Sequence, residues 1–328
     1  QRTPEAVAHL TKDRGIYWQV TWKEYLEHVR DFCLGLVELG LERGDRVAIM
    51  GDSCPEWVYA DLSAQAAGAI TYGVYPTSSI PELKYLMENG GAKFFVAENQ
   101  EYVDKILLIA DELPTLKKIV VIDTRAMFLY DNPRIISFKE VEQIGEKRNE
   151  KEPHLFEKLV SLVKPEDVAN IIYTSGTTGP PKAAMITNYA YLWGWLGIAQ
   201  LWPKIFMEGK LQRAVAYLTL AHNLAKLMDE YIPMMTNVVT VFPEEAETMA
   251  ENLFEVFPTV IMGPPRIFEK FAAQVLVGIA TSTRVKKALY RVAMSIGRHY
   301  IGRKWAGDLP WYLVALYRFA HWTVFRHI

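Results

Sequence analysis

The sequence predicts an α/β protein whose parallel sheets are covered by helices on both faces. Three observations lead there. Short β-branched runs alternate with stretches of helical periodicity, the pattern of strand–helix–strand crossover units. Half of the 328 residues are hydrophobic, 12% are aromatic and 23% are charged, a balance that excludes disordered, collagenous and low-complexity chains. At about 150 residues per domain, the length suits roughly two such layers.

Taken in order, the helical periodicity of Trp22 to Leu39 opens the pattern, and the apolar run Arg46 to Met50 is the first buried strand. Helices at Pro55 to Ala67, Pro81 to Glu88 and Tyr102 to Leu113 then alternate with strands at Ala69 to Val74, Lys93 to Ala97 and Lys118 to Ile122. Asp131 to Lys158 is polar and reads as a loop-rich passage to the strand at Val168 to Tyr173. Beyond it come a helix at Ala190 to Leu201, a strand at Arg213 to Leu218 and a helix at Leu224 to Met235. A strand at Val238 to Phe242, a helix at Glu244 to Val256 and a strand at Thr259 to Gly263 follow. After Pro264 the pattern is wholly helical, with Val285, Ala288, Leu289, Val292 and Ile296 on one face and Lys286, Lys287 and Arg291 off it. No internal repeat is visible, and consecutive domains are the simplest arrangement of these elements.

The net charge of −2 points to no nucleic-acid partner. Its distribution is uneven. From Pro264 onward eleven Lys/Arg face only Glu269 and Asp308, giving +9 there and −11 for the first 263 residues. Cys33 and Cys54 are too few for a disulfide framework and fit a reducing, cytoplasmic compartment. No run of eighteen uncharged apolar residues reads as a membrane span, and no secretory signal opens the chain. A start at Gln1 and an end inside an aromatic run predict a partial chain.

The chemistry-bearing segment is Ile171-Ile-Tyr-Thr-Ser-Gly-Thr-Thr-Gly-Pro-Pro-Lys-Ala-Ala-Met-Ile-Thr187. Gly176 and Gly179 allow positive φ and close backbone approach, so consecutive amides can converge on an anion. Thr174, Ser175, Thr177 and Thr178 add hydroxyl donors, and Lys182 adds a point charge suited to phosphate. Together they make a polyphosphate cradle. It is not a P-loop, because Lys182 follows two prolines and precedes no Ser/Thr. A plain Gly/Thr turn is the bland alternative, and four hydroxyls, two glycines and a lysine weigh against it.

This segment resembles the signature of the adenylate-forming superfamily of acyl-CoA synthetases, luciferases and adenylation domains. Leu218-Thr-Leu-Ala-His222 and Gly263-Pro-Pro-Arg-Ile-Phe-Glu-Lys270 are similar to segments of its long-chain acyl-CoA synthetase branch. The opening hairpin and helix, the strand from Gly44 and the Tyr75-Pro-Thr-Ser-Ser79 turn extend the resemblance over nearly the whole chain. Three positions depart from the pattern. Ala183 replaces a usual glycine, Thr219 a usual proline and Asn188 a common histidine.

The resemblance implies a fold of two interleaved parallel-sheet subdomains with flanking helices. Residues 46–201 would form the first. Residues 1–45 with 211–328, including a basic helical insertion at 279–328, would form the second. It also implies that residues 1–328 are a partial, truncated large N-terminal domain, with the adenine-binding stretches and the C-terminal domain absent. The implied reaction is attack of a fatty carboxylate on the α-phosphate of ATP, then displacement of AMP by CoA. Thr174, Ser175, Gly176, Thr177, Thr178, Gly179 and Lys182 would hold the nucleotide, with Thr177, Lys182 and His222 serving catalysis. Mg²⁺ would bridge phosphate oxygens without a protein metal site.

For His222 a hydrogen-bonded strand-end histidine is the even alternative, and for Arg266 and Lys270 a solvated helix start is favoured. Trp193, Trp195 and Trp202 read as core packing. The implied partners are fatty acid, ATP and CoA. A non-catalytic nucleotide- or acyl-binding module, or a peripheral module on the inner face of a membrane, is the alternative to a ligase.

Overall fold

The computed structural model describes residues 4–174, 179–245 and 248–327. The chain divides into two compact units, residues 1–262 and 263–328. The first holds both sheets.

A hairpin opens the chain, β1 (Val7–Asp13) and β2 (Ile16–Thr21), turning at Arg14 and Gly15 with φ of 49° and 76°. Thr21 caps α1 (Trp22–Glu38) in a reciprocal capping box with Glu24. There follow β3 (Arg46–Met50), α2 (Pro55–Ala66), β4 (Ile70–Val74), α3 (Ile80–Gly90), β5 (Phe94–Ala97), α4 (Gln100–Leu107) and β6 (Lys118–Val121). Prolines sit in the first turns of α2 and α3, where a missing N–H costs nothing. Next come β7 (Ile135–Ser137), α5 (Phe138–Lys151), α6 (Leu155–Ser161), β8 (Val168–Thr174), β9 (Lys182–Thr187), α7 (Asn188–Leu201) and α8 (Pro203–Phe206). The first unit closes with β10 (Gln212–Val215), α9 (Asn223–Ala225), a π-helical turn over Lys226–Tyr231, α10 (Ile232–Met235), β11 (Val238–Phe242) and α11 (Met249–Val256).

Seven strands form one sheet in the order β7-β6-β5-β3-β4-β8-β9, parallel throughout except for the antiparallel β8–β9 pair. Alternate residues of each strand face opposite layers. Val47 and Ile49 join Phe32, Leu36, Trp57 and Val141, while Ala48 and Met50 join Leu83, Met87, Val103 and Ile106. Helices thus cover both faces, as the strand–helix alternation predicts. The second sheet runs β10-β11-β1-β2, so opening strands pair with strands more than two hundred residues later, β1 lying parallel to β11. Helix α1 nevertheless packs on α5, α2 and α6, the helices of the seven-stranded sheet.

Several expectations need correction. The stretch from Asp131 to Lys158 is not loop-rich, since it contains β7, α5 and the start of α6. Its signal was hidden because α5 is charged on its outer positions and buries only Phe138, Val141 and Gly145. Helices α1 and α5 cross at two glycines. A Cβ on Gly145 would lie 1.7 Å from the Asp31 carbonyl oxygen, and one on Gly35 would lie 2.0 Å from that of Val141. Thr259 to Gly263 is no strand. The amides of Thr259 and Val260 both donate to the Arg213 carbonyl, a single point of attachment instead of a ladder. The helix expected from Leu224 to Met235 is continuous in path but passes through the π-helical turn.

Among the three tryptophans read as core, only Trp195 packs on the apolar cluster of Ala199, Phe206 and Met228, whereas Trp193 and Trp202 are exposed. The second unit contains α12 (Pro265–Ala280), α13 (Arg284–Ala306) and α14 (Trp311–Thr323), with a closing 3-10 turn at Phe325–His327. Arg266 and Lys270 are exposed in the first turns of α12, the solvated reading favoured from the sequence.

Candidate functional site

The parallel strands β3, β4 and β8 end on one side of the seven-stranded sheet, the side on which open α/β sheets bind ligands. Here lies a cleft of about 540 Å³. Gly73, Tyr75 and Ser78 enter it from the end of β4, and Ile172, Tyr173 and Thr174 from β8. Pro181, Ala184 and Ile186 belong to the returning limb, and His222 and Asn223 to the turn before α9.

The β8–β9 hairpin shapes the cradle. Its register pairs Thr174 with Lys182, so the Gly- and Thr-rich residues form the connection between two paired strands. Below the loop, Thr174 Oγ1 donates to the Lys182 carbonyl at 3.4 Å, Tyr85 Oη donates to the Pro181 carbonyl at 3.0 Å, and Tyr173 Oη donates to Asn89 Oδ1 at 2.9 Å. Burial pushes the Tyr173 phenol up to about 12, which keeps it a neutral donor. Gly179 has φ of 114° with open space where a Cβ would be, a backbone that only glycine adopts without strain. Lys182 is exposed and makes no ion pair among the described residues, so its ammonium is available to an anionic ligand. Ser175, Gly176, Thr177 and Thr178 lie outside the described residues.

The opposite wall is held by contacts between the two sheet systems. Ser53 Oγ donates to the Leu218 carbonyl at 2.6 Å, and Thr219 Oγ1 lies 3.4 Å from the Gly51 carbonyl. A Cβ on Gly73 would fall 2.4 Å from Ala221 Cα, so a glycine inside β4 is what lets the 219–222 turn sit against the strand. That turn presents His222, which is exposed and caps α9. Its Nδ1 accepts from the Leu224 amide at 3.1 Å, which leaves the proton of a neutral imidazole on Nε2.

The departures from the family pattern are accommodated. Thr219 replaces the rigidity of a proline with a local turn, its hydroxyl accepting from the Ala221 amide at 3.3 Å. Ala183 lies inside β9 opposite Tyr173, away from any left-handed backbone. Asn188 donates from Nδ2 to the Lys164 carbonyl at 3.1 Å, fastening the start of α7.

Thr174 and His222 therefore meet in one cleft, and Lys182 stands at the far foot of the same loop. Tyr75 and Ser78 belong to the turn that the sequence resemblance included, whereas Gly73, Tyr85 and Asn89 support the site without having been singled out from the sequence. Gly73 alone carried a readable signal, as a glycine interrupting a strand pattern. No cluster of three or more metal-ligating side chains occurs among the described residues. Among the described residues of the segment, Thr174 offers a hydroxyl and Lys182 an ammonium.

The comparisons with known proteins agree with this chemistry. A family model described as AMP-binding enzyme matches residues 1–301. A long-chain-fatty-acid–CoA ligase ACSBG2 of Xenopus laevis is 32% identical over 92% of this chain and 41% of its own length. Its counterpart of Rattus norvegicus is 31% identical over 97% of this chain and 48% of its own. The chain spans less than half the length of these curated relatives. Among solved structures, the anthranilate CoA ligase AuaEII in complex with anthranoyl-AMP superposes with a TM-score of 0.59 at 23% identity, over 76% of this chain and 44% of that one. Apo MatB from Rhodopseudomonas palustris gives 0.58 at 16%, over 77% and 45%. Those two likenesses carry the fold, and the family match carries the lineage. With that family model matched over most of its length, the chain belongs to the AMP-binding enzyme family.

Proposed function

We propose that this chain supplies the phosphate-binding half of an AMP-forming long-chain fatty acid–CoA ligase. The observation that carries the reading is the juxtaposition of the cradle's two feet, Thr174 and Lys182, with a cleft whose far wall is His222. In this reading Thr174, Ser175, Gly176, Thr177, Thr178, Gly179 and Lys182 receive the triphosphate of ATP. Thr177 and Lys182 stabilise charge that develops as pyrophosphate leaves, and His222 orients the carboxylate that attacks the α-phosphorus. Bound Mg²⁺ would supply charge neutralisation between phosphate oxygens, and CoA would take the acyl group in a second step.

An apolar crevice between β10 and the turn leading into α9 suits the start of an acyl chain. Leu218, Leu224, Met228, Leu253 and Val260 line it, and its cavity volume is only about 20 Å³, so a chain could enter only as these side chains part. The enzyme would work in the cytoplasm, a reducing compartment that suits a chain with only two cysteines, Cys33 and Cys54, and no disulfide between them. No helix among the described residues is long and apolar enough to cross a membrane.

The test is pyrophosphate release from ATP in the presence of a long-chain fatty acid. The chain completed to its relatives' length should release it, and Lys182→Ala should lower the rate about tenfold or more, the usual cost of losing an oriented donor to developing charge. The 328-residue chain alone should release none. Release without fatty acid, or undiminished release by Lys182→Ala, would overturn the reading.

A further inference from the structure

One wall of the apolar crevice between β10 and α9 is a carboxylic acid. Asp229, on the π-helical turn, lines it beside Ala214, Leu218, Leu253 and Val260 and is only 8% exposed. Of the three charged residues on that turn, Lys226 and Glu230 are gathered with Asp61 of α2, an ammonium among carboxyls. Asp229 has no such company. Its backbone carbonyl accepts from Thr240 Oγ1 at 3.3 Å, but its carboxyl makes no hydrogen bond and no ion pair among the described residues.

The carboxyl belongs to the crevice side of the turn. Burial, and then the Asp229 charge, push the phenol of Tyr217 up to about 12, and Tyr217 lines the same crevice. His9 and Tyr25, which line a smaller cavity that Asp229 also borders, answer to other charges: His28 and Glu24 for the first, Glu230 and Asp61 for the second. Burial holds the Asp229 carboxyl well above the usual carboxylate range, so it stands as a neutral acid with one O–H to donate and a carbonyl oxygen to accept. A buried polar group without a protein partner is destabilising and persists where a ligand or a water completes it.

The size and chemistry of the space narrow the ligand. A cavity volume of about 20 Å³ takes one water-sized group. Tyr217 Oη donates its proton to the Met262 carbonyl at 2.5 Å, which leaves it an acceptor at the same crevice. A group that both accepts and donates therefore suits the place, and the apolar walls suit a methylene chain on either side of it. A hydroxyl on that chain exchanges solvent hydrogen bonds for new ones, whereas a methylene would leave the acid unpaired.

We propose that the crevice selects a long-chain fatty acid bearing a hydroxyl group, which accepts from the Asp229 carboxyl and donates to Tyr217 Oη. Asp229 is then a residue that sets substrate specificity. The inference rests on the ligase reading, in which this crevice receives the acyl chain.

The experiment uses the chain completed to its relatives' length, with hexadecanoic acid and a series of monohydroxyhexadecanoic acids that differ in the position of the hydroxyl. For one of the series, kcat/KM for pyrophosphate release should exceed that for hexadecanoic acid about tenfold or more. Asp229→Leu should abolish the preference, and Asp229→Asn, which keeps a neutral donor and acceptor, should retain it. A purely structural Asp229 would lower all substrates together and leave their ratio unchanged. Calorimetric binding of the same acids without ATP separates the two readings. Hydroxyl-dependent binding without pyrophosphate release overturns the ligase reading alone. Release with hexadecanoic acid but no preference at any hydroxyl position, in binding or in turnover, overturns the present inference alone. A preference that survives Asp229→Leu, or is lost equally in Asp229→Asn, overturns it too.

Discussion

Lys226 is wholly buried, its Nζ 2.6 Å from Asp61 Oδ2, 3.8 Å from Glu230 Oε2 and 4.6 Å from the centroid of the Trp57 ring. Two carboxylates cannot both stay ionised around one ammonium in such a place. Burial, and then the Asp61 charge, hold the Glu230 carboxyl well above the usual range, so Glu230 is neutral and Lys226 pairs with Asp61. Lys226→Met should therefore cost about 3–5 kcal/mol, because it strands the Asp61 charge, and Asp61→Leu/Lys226→Met should recover much of the loss. Urea melts of the two variants check this, and equal melts for both would contradict it. His9 gives a pH signature. Burial, aided by the nearby His28, lowers its pKa from 6.5 to about 4, and its Nε2 lies 2.6 Å from Tyr59 Oη. The unfolded chain takes up a proton on His9 as pH falls through 6.5, while the folded chain does so only near 4. Stability from this site is complete above 6.5 and declines between 6.5 and 4, by about 3 kcal/mol in total. His28 is raised by its hydrogen bond to Glu142 and acts in the opposite sense, so the measurement is the difference between wild type and His9→Gln over that window. A difference that does not change with pH would contradict the assignment.

At the scale of elements, the cleft depends on how β4 meets the 219–222 turn. Gly73→Ala places a methyl 2.4 Å from Ala221 Cα, where the neighbour is backbone and cannot simply rotate away. The expected cost is about 1–3 kcal/mol in a thermal or urea melt, accompanied by displacement of His222. An unperturbed His222 ring in the NMR spectrum of Gly73→Ala would contradict this. The same elements show what a sequence discloses. Strands β3, β5, β6 and β11 were legible because they are buried on both faces and read as apolar runs. Helix α5 was not, since its buried stripe is three residues wide and its contact with α1 rests on glycines, which carry no hydropathy signal. Thr259 to Gly263 misled for the converse reason. Its apolar residues line the wall of a crevice, with only Val260 buried, and form no ladder.

For the whole molecule, the pairing of β1 with β11 was beyond periodicity, because no local pattern records a partner more than two hundred residues away. Only the family resemblance suggested that the sheets share the chain in this way. Thr174 and His222 were both singled out in the sequence, but their meeting in one cleft needed the sheet order that brings β4 and β8 side by side. The basic character of residues 263–328 was also plain in the sequence. The central claim is that this cleft activates a fatty carboxylate with ATP. Its most direct test is fatty-acid-dependent pyrophosphate release by the chain completed to its relatives' length, comparing wild type with Lys182→Ala. The account predicts release only when fatty acid is present, lowered about tenfold or more by the substitution. Equal rates for the two proteins, or release indifferent to fatty acid, would contradict it.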